Sequence, residues 1–120
     1  MAKKSAHGEA FLTYFHAKRG VLMSCHEDGV TLYRTPFSNG WKLFARKKAD
    51  WTIEDWKAAK RRSAEQQPWW AREIRTLPSR ATLQRWLEDS MCEATCGADV
   101  EHDGYGPGGS PSWLLALHLI

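Results

Sequence analysis

The fold is decided by residues 21–46, VLMSCHEDGVTLYRTPFSNGWKLFAR. Apolar and polar side chains alternate here with a period of two, which is typical of half-buried strands. The alternation is interrupted by Asp28-Gly29, which favours a type I′ turn, and by Asn39-Gly40, a second hairpin signal. A similar alternation precedes this stretch in residues 10–16. We therefore predict an antiparallel β-meander of three to four strands over about residues 10–48.

The hydrophobic period changes to that of helices near residue 50. Thr52 followed by Asp55 indicates a capped helix start, and prolines later interrupt the helical pattern. The expected helices are three to four short ones, at about residues 52–66, 68–76, 79–93 and 110–118. The sequence thus predicts a single α+β domain over residues 9–120, preceded by a flexible N-terminal segment, residues 1–8.

Length and composition exclude several classes of protein. The chain has 120 residues, of which 42% are hydrophobic and 26% are charged, a balance typical of a folded domain. Its longest apolar run, residues 113–117, is far shorter than the roughly 20 residues that cross a bilayer. Three cysteines cannot all pair within one chain, and no secretory leader is recognisable. We expect a cytoplasmic protein that does not associate with membranes.

The net charge of +3 conceals an uneven distribution. Residues 41–80 contain eleven basic and five acidic side chains, whereas residues 81–120 contain one basic and six acidic side chains. The basic block also holds five of the seven tryptophans. Cations contact phosphates and exposed indoles stack on bases, so this block favours DNA or RNA as a partner.

The tryptophans are not all expected at a binding surface. Four of them fall on the apolar side of predicted elements and are expected in the core: Trp41, Trp56, Trp86 and Trp113. Trp51 lies at a helix entrance, where the sequence favours neither position. Trp69 and Trp70 are adjacent and cannot both face one core from a helix, so one of them is expected on the surface.

The two predicted helices on either side of Pro78 have the spacing of a helix-turn-helix. Arginine and glutamine on the second helix match guanine and adenine edges in the major groove. The predicted nucleic-acid-binding residues are Lys57, Lys60, Arg61, Arg72, Arg80, Thr82, Gln84 and Arg85. The stretch LPSRATLQRWL, residues 77–87, resembles the helix-turn-helix region of phage small-terminase-type and regulatory proteins. This resemblance implies a non-enzymatic regulator that binds DNA through a basic helical hairpin.

The chain as a whole, including VEHDGYGPGGSPSWLLALHLI at residues 100–120, resembles small phage and prophage accessory proteins. The resemblance implies action by binding, either on nucleic acid or as an inhibitor of a host defence complex, as anti-CRISPR proteins are. The inhibitor alternative uses protein–protein contact or mimicry of a polyanion. Its predicted interface residues are Trp69, Trp70, Asp99, Glu101 and Asp103. A homo-oligomer formed through the apolar C-terminal helix is a third alternative.

We expect no enzymatic activity and no cofactor, since no nucleophile–base pair or set of catalytic carboxylates emerges from the sequence. Residues 104–109 match G-x-G-x-x-G, but the strand of a βαβ unit that should precede this motif is missing. Cys92, Cys96 and His102, with His118 as a fourth ligand, leave zinc as an alternative, although their spacing matches no established zinc signature.

Overall fold

The structure is a computed structural model and describes residues 7–120. Over these residues it contains a four-stranded sheet, a two-stranded sheet, three α-helices and one 3₁₀ turn. In chain order the elements are β1 (Ala10–His16), β2 (Val21–His26), β3 (Val30–Arg34), β4 (Lys42–Arg46), α1 (Ile53–Glu65), α2 (Arg80–Glu88), β5 (Met91–Glu93), β6 (Asp99–Glu101), the 3₁₀ turn (Pro107–Gly109) and α3 (Trp113–Ala116). The α+β class is confirmed, although β5 and β6 lie between α2 and α3.

The predicted meander is formed by four antiparallel strands in the order β1-β2-β3-β4. Between β2 and β3, the Gly29 N–H donates to the His26 carbonyl oxygen at 3.0 Å, and Gly29 has a φ of 87°. Asp28 does not have a positive φ, so the turn is a type I turn followed by a left-handed glycine. The expected type I′ turn is therefore wrong, and Asn39-Gly40 lies within a longer connection.

The two faces of the sheet support two different cores. Tyr14 is paired with Met23 on one face, and Phe15 with Leu22 on the opposite face. α1 covers the first face, where the buried Trp56 packs with Tyr14 and Met23. The second face belongs to a separate core to which the C-terminal half of the chain contributes.

α1 begins where the capping pattern predicts. The Thr52 hydroxyl oxygen accepts a hydrogen bond from the Asp55 N–H at 3.1 Å, and the helix continues to Glu65.

No helix within residues 7–120 has both the length and the apolar character that a bilayer crossing requires.

The helix predicted over residues 68–76 is not formed. Residues 69–73 are a series of turns, and Ala71 and Ile74 are buried in the second core with Phe15. This segment passes beside the edge strand β1 on its way from α1 on one face of the sheet to the second core on the other. The first helix of the predicted helical hairpin is therefore absent from the structure.

The helix predicted over residues 79–93 is shorter than expected. α2 ends at Glu88, and residues 91–93 form β5, which pairs with β6. Pairing places Cys92 opposite Val100, and both side chains are buried on the inner face of this hairpin. A period of two thus buries these residues against the second core, where the sequence suggested a continued helix.

The C-terminal helix is also shorter than the predicted residues 110–118. α3 spans four residues, and its cap is Ser112, whose hydroxyl oxygen accepts from the Leu115 N–H at 3.1 Å. The expected cap, Ser110, is buried and precedes the helix. The apolar side chains of this region nevertheless dock on the core, as Leu114 and Leu117 show.

Residues 1–6 of the predicted flexible segment 1–8 lie outside the described residues. The last two residues of the segment contact the sheet. His7 Nδ1 lies 2.7 Å from Asp28 Oδ2, and His26 Nδ1 lies 3.1 Å from the Gly8 carbonyl oxygen.

The tryptophans divide between core and surface. Trp56 is buried, as predicted, whereas Trp41 is 38% exposed, so its predicted core position is wrong. Trp41 immediately precedes β4, an edge strand whose two faces are both largely exposed, so Trp41 does not pack in a core there. Trp69 is 54% exposed and is the surface member of its pair. A partly buried group packs on the second core: Trp70, Trp86 and Trp113.

Candidate nucleic-acid interface

A groove of about 310 Å³, here named the β4–α1 groove, separates the end of β4 from α1. Its lining residues are Arg46, Lys47, Lys48, Trp51, Trp56, Ala59, Lys60 and Ser63. Four of these residues are cationic, two are tryptophans and none is acidic. The groove therefore presents positive charge beside aromatic surface.

Lys47 fixes the loop that forms one wall of this groove. Its Nζ donates to the carbonyl oxygens of Lys48 at 3.1 Å and Trp51 at 2.7 Å, and its backbone N–H donates to the Gly29 carbonyl oxygen at 2.7 Å. The Trp51 N–H in turn donates to the Lys48 carbonyl oxygen at 3.1 Å. The Trp51 backbone is thus held in place while its side chain remains exposed, with 43% of the residue's surface open to solvent.

The other three cations of the groove are not neutralised by carboxylates. Within residues 7–120, the ion pairs join Lys57 to Glu27 and His7 to Asp28, and none involves Arg46, Lys48 or Lys60. Lys60 Nζ lies 5.8 Å from the Trp56 ring centroid. An anionic ligand can therefore contact these cations without breaking an existing ion pair.

The protonation of His16 is sensitive to the positive charge of this region. Burial lowers the pKa of His16 most, the charge of Arg19 lowers it further, and Lys18 and Lys60 act in the same direction. Cations from the β1–β2 turn and from α1 therefore act on one part of the surface.

A shallow depression of about 380 Å³, here named the β3–β4 platform, lies farther along β4. It is lined by Arg19, Val21, Tyr33, Leu43 and Phe44. The ring centroids of Tyr33 and Phe44 are 6.2 Å apart in an edge-to-face arrangement, and the Arg19 Cζ lies 5.0 Å from the Phe44 centroid. Phe44 and Arg46 lie two residues apart on β4, so the strand runs along both the platform and the β4–α1 groove.

A second basic groove, the β1–α1 groove, has a volume of about 320 Å³ and lies on the β1 side of α1. It is lined by Leu12, Thr13, Tyr14, Arg61, Ala64, Glu65, Gln67, Ala71, Arg72 and Arg75. Arg72 Nε donates to the Gln67 carbonyl oxygen at 3.0 Å, and Arg75 Nη1 donates to the Arg72 carbonyl oxygen at 2.6 Å. The Arg61 Cζ lies 5.4 Å from the Phe11 centroid. Arg72 and Arg75 thus brace the turn segment from within, and Arg61 links α1 to strand β1.

The structure separates the predicted binding residues of the basic block. Lys60 lines the β4–α1 groove, whereas Arg61 and Arg72 line the β1–α1 groove. Lys57 forms an ion pair with Glu27, and this hydrogen bond and the positive charge lower the pKa of Glu27. Sequence reasoning thus grouped cations that occupy two sides of one helix.

The predicted binding residues of α2 form another set. Arg80 Nη2 donates to the Phe37 carbonyl oxygen at 2.8 Å, and Thr82 belongs to the helix cap, its N–H donating to the cap serine at 3.1 Å. Gln84 and Arg85 are exposed. Since the helix predicted before α2 is absent, a single helix presents these side chains.

The predicted protein interface falls on two neighbouring features. The Trp69 indole packs on the loop after β6, since a Cβ added at Gly108 would lie 3.4 Å from its Cη2. The predicted acidic residues are all exposed: Asp99, Glu101 and Asp103. Glu93 lies directly opposite Asp99 in the β5–β6 pair. The outer face of this hairpin therefore carries paired like charges.

The residues of the zinc alternative have other contacts. Cys92 is buried with its Sγ 3.7 Å from the Glu101 carbonyl oxygen, and burial raises the pKa of its thiol. Cys96 is exposed, and His102 Nε2 lies 2.7 Å from the Trp86 carbonyl oxygen. In the described part of the chain, no three histidine, cysteine, aspartate or glutamate side chains are grouped so as to hold a metal ion.

Arg46 and Lys48 belong to the basic block that the sequence indicates as a partner surface, but the predicted set of nucleic-acid-binding residues, which lies on the helices, does not include them. The available signal was the run Arg46-Lys47-Lys48 three residues before Trp51, at the end of a strand. No sequence pattern indicates a role for Arg19, because it is the folding of the meander that brings Arg19 next to Phe44.

Comparison of the chain with known proteins finds no matching family model, no matching curated protein and no matching solved structure. The functional interpretation therefore depends on the chemistry of these surfaces.

Proposed function

We propose that the protein is a nucleic-acid-binding protein that acts without catalysing a reaction, and that the β4–α1 groove is its binding surface. The observation that carries this proposal is the composition of the groove, which is lined by four cations and no carboxylate. Such a surface attracts a polyanion, and the counterions released from the phosphates add to the affinity.

The arrangement of the cations supports the same proposal. Arg46, Lys48 and Lys60 have no carboxylate partner among the described residues, so a bound phosphate replaces only water. Lys47 is held by backbone carbonyls and keeps the loop in place rather than contacting the ligand itself. Because Lys47 holds the backbone of residues 48–51, this loop does not have to become ordered when a phosphate binds, which lowers the entropic cost of binding.

α2 is the alternative nucleic-acid surface, because Gln84 and Arg85 are exposed and suited to base edges. The two candidate surfaces lead to different predictions about which variants lose nucleic-acid binding. The β4–α1 groove depends on Arg46, Lys48 and Lys60, and α2 depends on Arg85.

A salt titration separates the two surfaces. The anisotropy of a labelled oligonucleotide is measured with the original protein, with the triple variant Arg46→Gln, Lys48→Gln, Lys60→Gln, and with the control Arg85→Gln. We expect the triple variant to lower the slope of log K against log salt by about 2, since each phosphate contact on a single strand contributes about 0.7. The control should change neither slope nor affinity. A defect confined to Arg85→Gln would assign binding to α2, and no binding by the original protein at low salt would reject the proposed function.

A second function, binding to a basic protein surface, is favoured by one specific observation. Glu93 and Asp99 are directly opposed on the β5–β6 hairpin, and no described cation forms an ion pair with either of them. Opposed like charges destabilise a strand pair, so their presence suits a partner that supplies positive charge, as the inhibitor alternative requires. We expect Glu93→Gln to raise the free energy of unfolding by up to about 1 kcal/mol in a urea titration. An unchanged or lower free energy would remove the support for this second function.

A further inference from the structure

Exposed apolar side chains are concentrated along β4 and its flanking loops. Eleven large apolar residues are exposed in the described part of the chain, and six of them fall between residues 37 and 53. These six are Phe37, Trp41, Leu43, Phe44, Trp51 and Ile53. Scattered exposed apolar residues are common on proteins, but a group on one strand and its loops indicates a surface that something covers.

A second copy of the chain is poorly suited to cover this surface. β4 is an edge strand with a bulge at Phe44, and its two charged residues, Lys42 and Arg46, are both cations, so antiparallel pairing of two copies brings cations together with no carboxylate to offset them. Like charges directly opposite one another destabilise a strand pair. Lys47 and Lys48 follow immediately and increase the repulsion. The positive charge of β4 therefore favours an anionic ligand over a second copy of the chain at this surface.

We infer that this surface binds single-stranded nucleic acid, with unpaired bases stacking on Trp51 and Phe44 while the phosphates contact the surrounding cations. The inference rests on the proposed function and specifies its substrate. In a duplex the base faces are stacked on one another, so exposed rings on the protein gain little from them. An unpaired base offers a free face, and stacking on an aromatic side chain contributes binding energy whatever the base.

Trp51 meets the requirements of a stacking residue. Its backbone is fixed by hydrogen bonds to Lys47 and Lys48, and its indole is exposed, with the cations of the β4–α1 groove on one side and Asp50 and Asp55 on the other. Stacking therefore does not require the loop to become ordered first.

Phe44 provides the second position, farther along the same strand. It is 38% exposed, Tyr33 supports it edge-on, and the Arg19 guanidinium lies 5.0 Å from its centroid. Arg19 can stack with a base beside the ring or contact the adjacent phosphate, as arginine does in single-strand-binding proteins. Phe44 and Trp51 thus each lie beside cations, Phe44 beside Arg19 and Trp51 beside Lys48, as the bases of a single strand lie beside its phosphates.

An acidic peptide would satisfy the cations but not the rings. Carboxylates offer no aromatic face, so a peptide of glutamates would leave Trp51 and Phe44 exposed. Nucleic acid supplies both components in one polymer.

The experiment compares a labelled oligothymidine of about 15 nucleotides, close to the upper range for one small binding domain, with a duplex of the same length. Anisotropy is measured for the original protein, Trp51→Ala, Phe44→Ala and the conservative variant Trp51→Phe. We expect the single strand to bind at least about tenfold more tightly than the duplex, and each alanine variant to weaken single-strand binding about five- to tenfold. Duplex binding should be unchanged by these variants, and Trp51→Phe should keep most of the single-strand affinity.

The matched control is Trp69→Ala, which removes an exposed indole outside the groove and should alter neither affinity. Equal binding of duplex and single strand, with Trp51→Ala unaffected, would overturn this inference and leave the proposed function standing. An oligoglutamate that competes as well as the single strand would also overturn it, as would concentration-dependent self-association abolished by Phe44→Ala. Absence of binding to either oligonucleotide at low salt would reject the proposed function itself.

Discussion

The two grooves that flank α1 are both basic, yet they hold their cations differently. In the β1–α1 groove, Arg72 and Arg75 donate to backbone carbonyl oxygens of the turn segment. In the β4–α1 groove, Arg46 and Lys48 make no ion pair with the described carboxylates, and an exposed indole lies beside them. In the β1–α1 groove these guanidinium groups are bound to the backbone, whereas in the β4–α1 groove, within residues 7–120, only Lys47 is bound in this way and Arg46 and Lys48 remain accessible. The density of cations in the sequence does not distinguish the two roles.

The largest effect should come from the buried indole beneath the β4–α1 groove. Trp56→Ala removes a side chain that packs on Tyr14 and Met23, and we expect the free energy of unfolding to fall by about 3–5 kcal/mol in a urea titration. Trp51→Ala, in the same groove, should change stability by no more than about 0.5 kcal/mol because its indole is exposed. Similar losses of free energy of unfolding for the two variants would contradict the assignment of Trp56 to the core and of Trp51 to the proposed binding surface.

The arginines of the β1–α1 groove should matter for stability alone. The double variant Arg72→Ala, Arg75→Ala removes three hydrogen bonds to backbone carbonyls and should destabilise the protein by about 1.5 kcal/mol, at about 0.5 kcal/mol for each bond at the surface. Thermal unfolding measures this change, and oligonucleotide anisotropy should show the original affinity. A large loss of affinity in the folded variant would mean that both grooves bind nucleic acid.

Neighbouring lysines allow a sharper comparison within one groove. Lys47→Met removes two hydrogen bonds from the loop and should lower the free energy of unfolding by about 1 kcal/mol. Lys48→Met should leave stability unchanged but reduce nucleic-acid affinity by about fivefold at moderate salt. Measuring both properties for both variants tests the assignment, and the reverse pattern would exchange the roles of the two residues.

The smallest effect concerns His16, whose pKa is lowered from its ordinary value of 6.5 by burial and by the surrounding cations. The folded protein then binds fewer protons than the unfolded chain between the lowered value and 6.5. This contribution to stability is therefore complete above pH 6.5 and is lost as the pH falls toward the lowered value. We expect His16→Gln to flatten the decline in urea midpoint over that interval. An unchanged pH profile would show that other groups cause the decline.

The sequence predicted the elements whose signals are local. The alternation and turn dipeptides predicted the meander, and Thr52 with Asp55 predicted the start of α1, because capping and strand periodicity depend on neighbouring residues. The helix expected over residues 68–76 was wrong because Ala71 and Ile74 are drawn into a core that lies around the edge of β1. The β5–β6 hairpin was not predicted, because the strand conformation around Cys92 and Val100 depends on their contact with that core and not on a local sequence pattern.

The residues that line the candidate site were predictable only in part, for the same reason. Composition identified the basic, tryptophan-rich block, and Lys60 does line the β4–α1 groove. Which cations are accessible depends on which carbonyls and carboxylates lie near them after folding, and this separates Lys60 from Lys57 on one helix. No local pattern shows that Arg19 reaches Phe44 across the sheet.

The two faces of the sheet are completed at different times during synthesis on the ribosome. Tyr14, Met23 and Trp56 come from the first half of the chain, so the face under α1 can close once that helix has emerged. The opposite face, which includes Phe15, can be covered only after Leu114 and its neighbours have been synthesised. The contact of His118 Nε2 with the Ala17 carbonyl oxygen likewise joins residues that are 101 positions apart in the chain. A nascent chain therefore carries a formed β4–α1 groove on one side of its sheet and uncovered apolar surface on the other. That interval, before residues 114–117 emerge, is when chaperone contact is most needed.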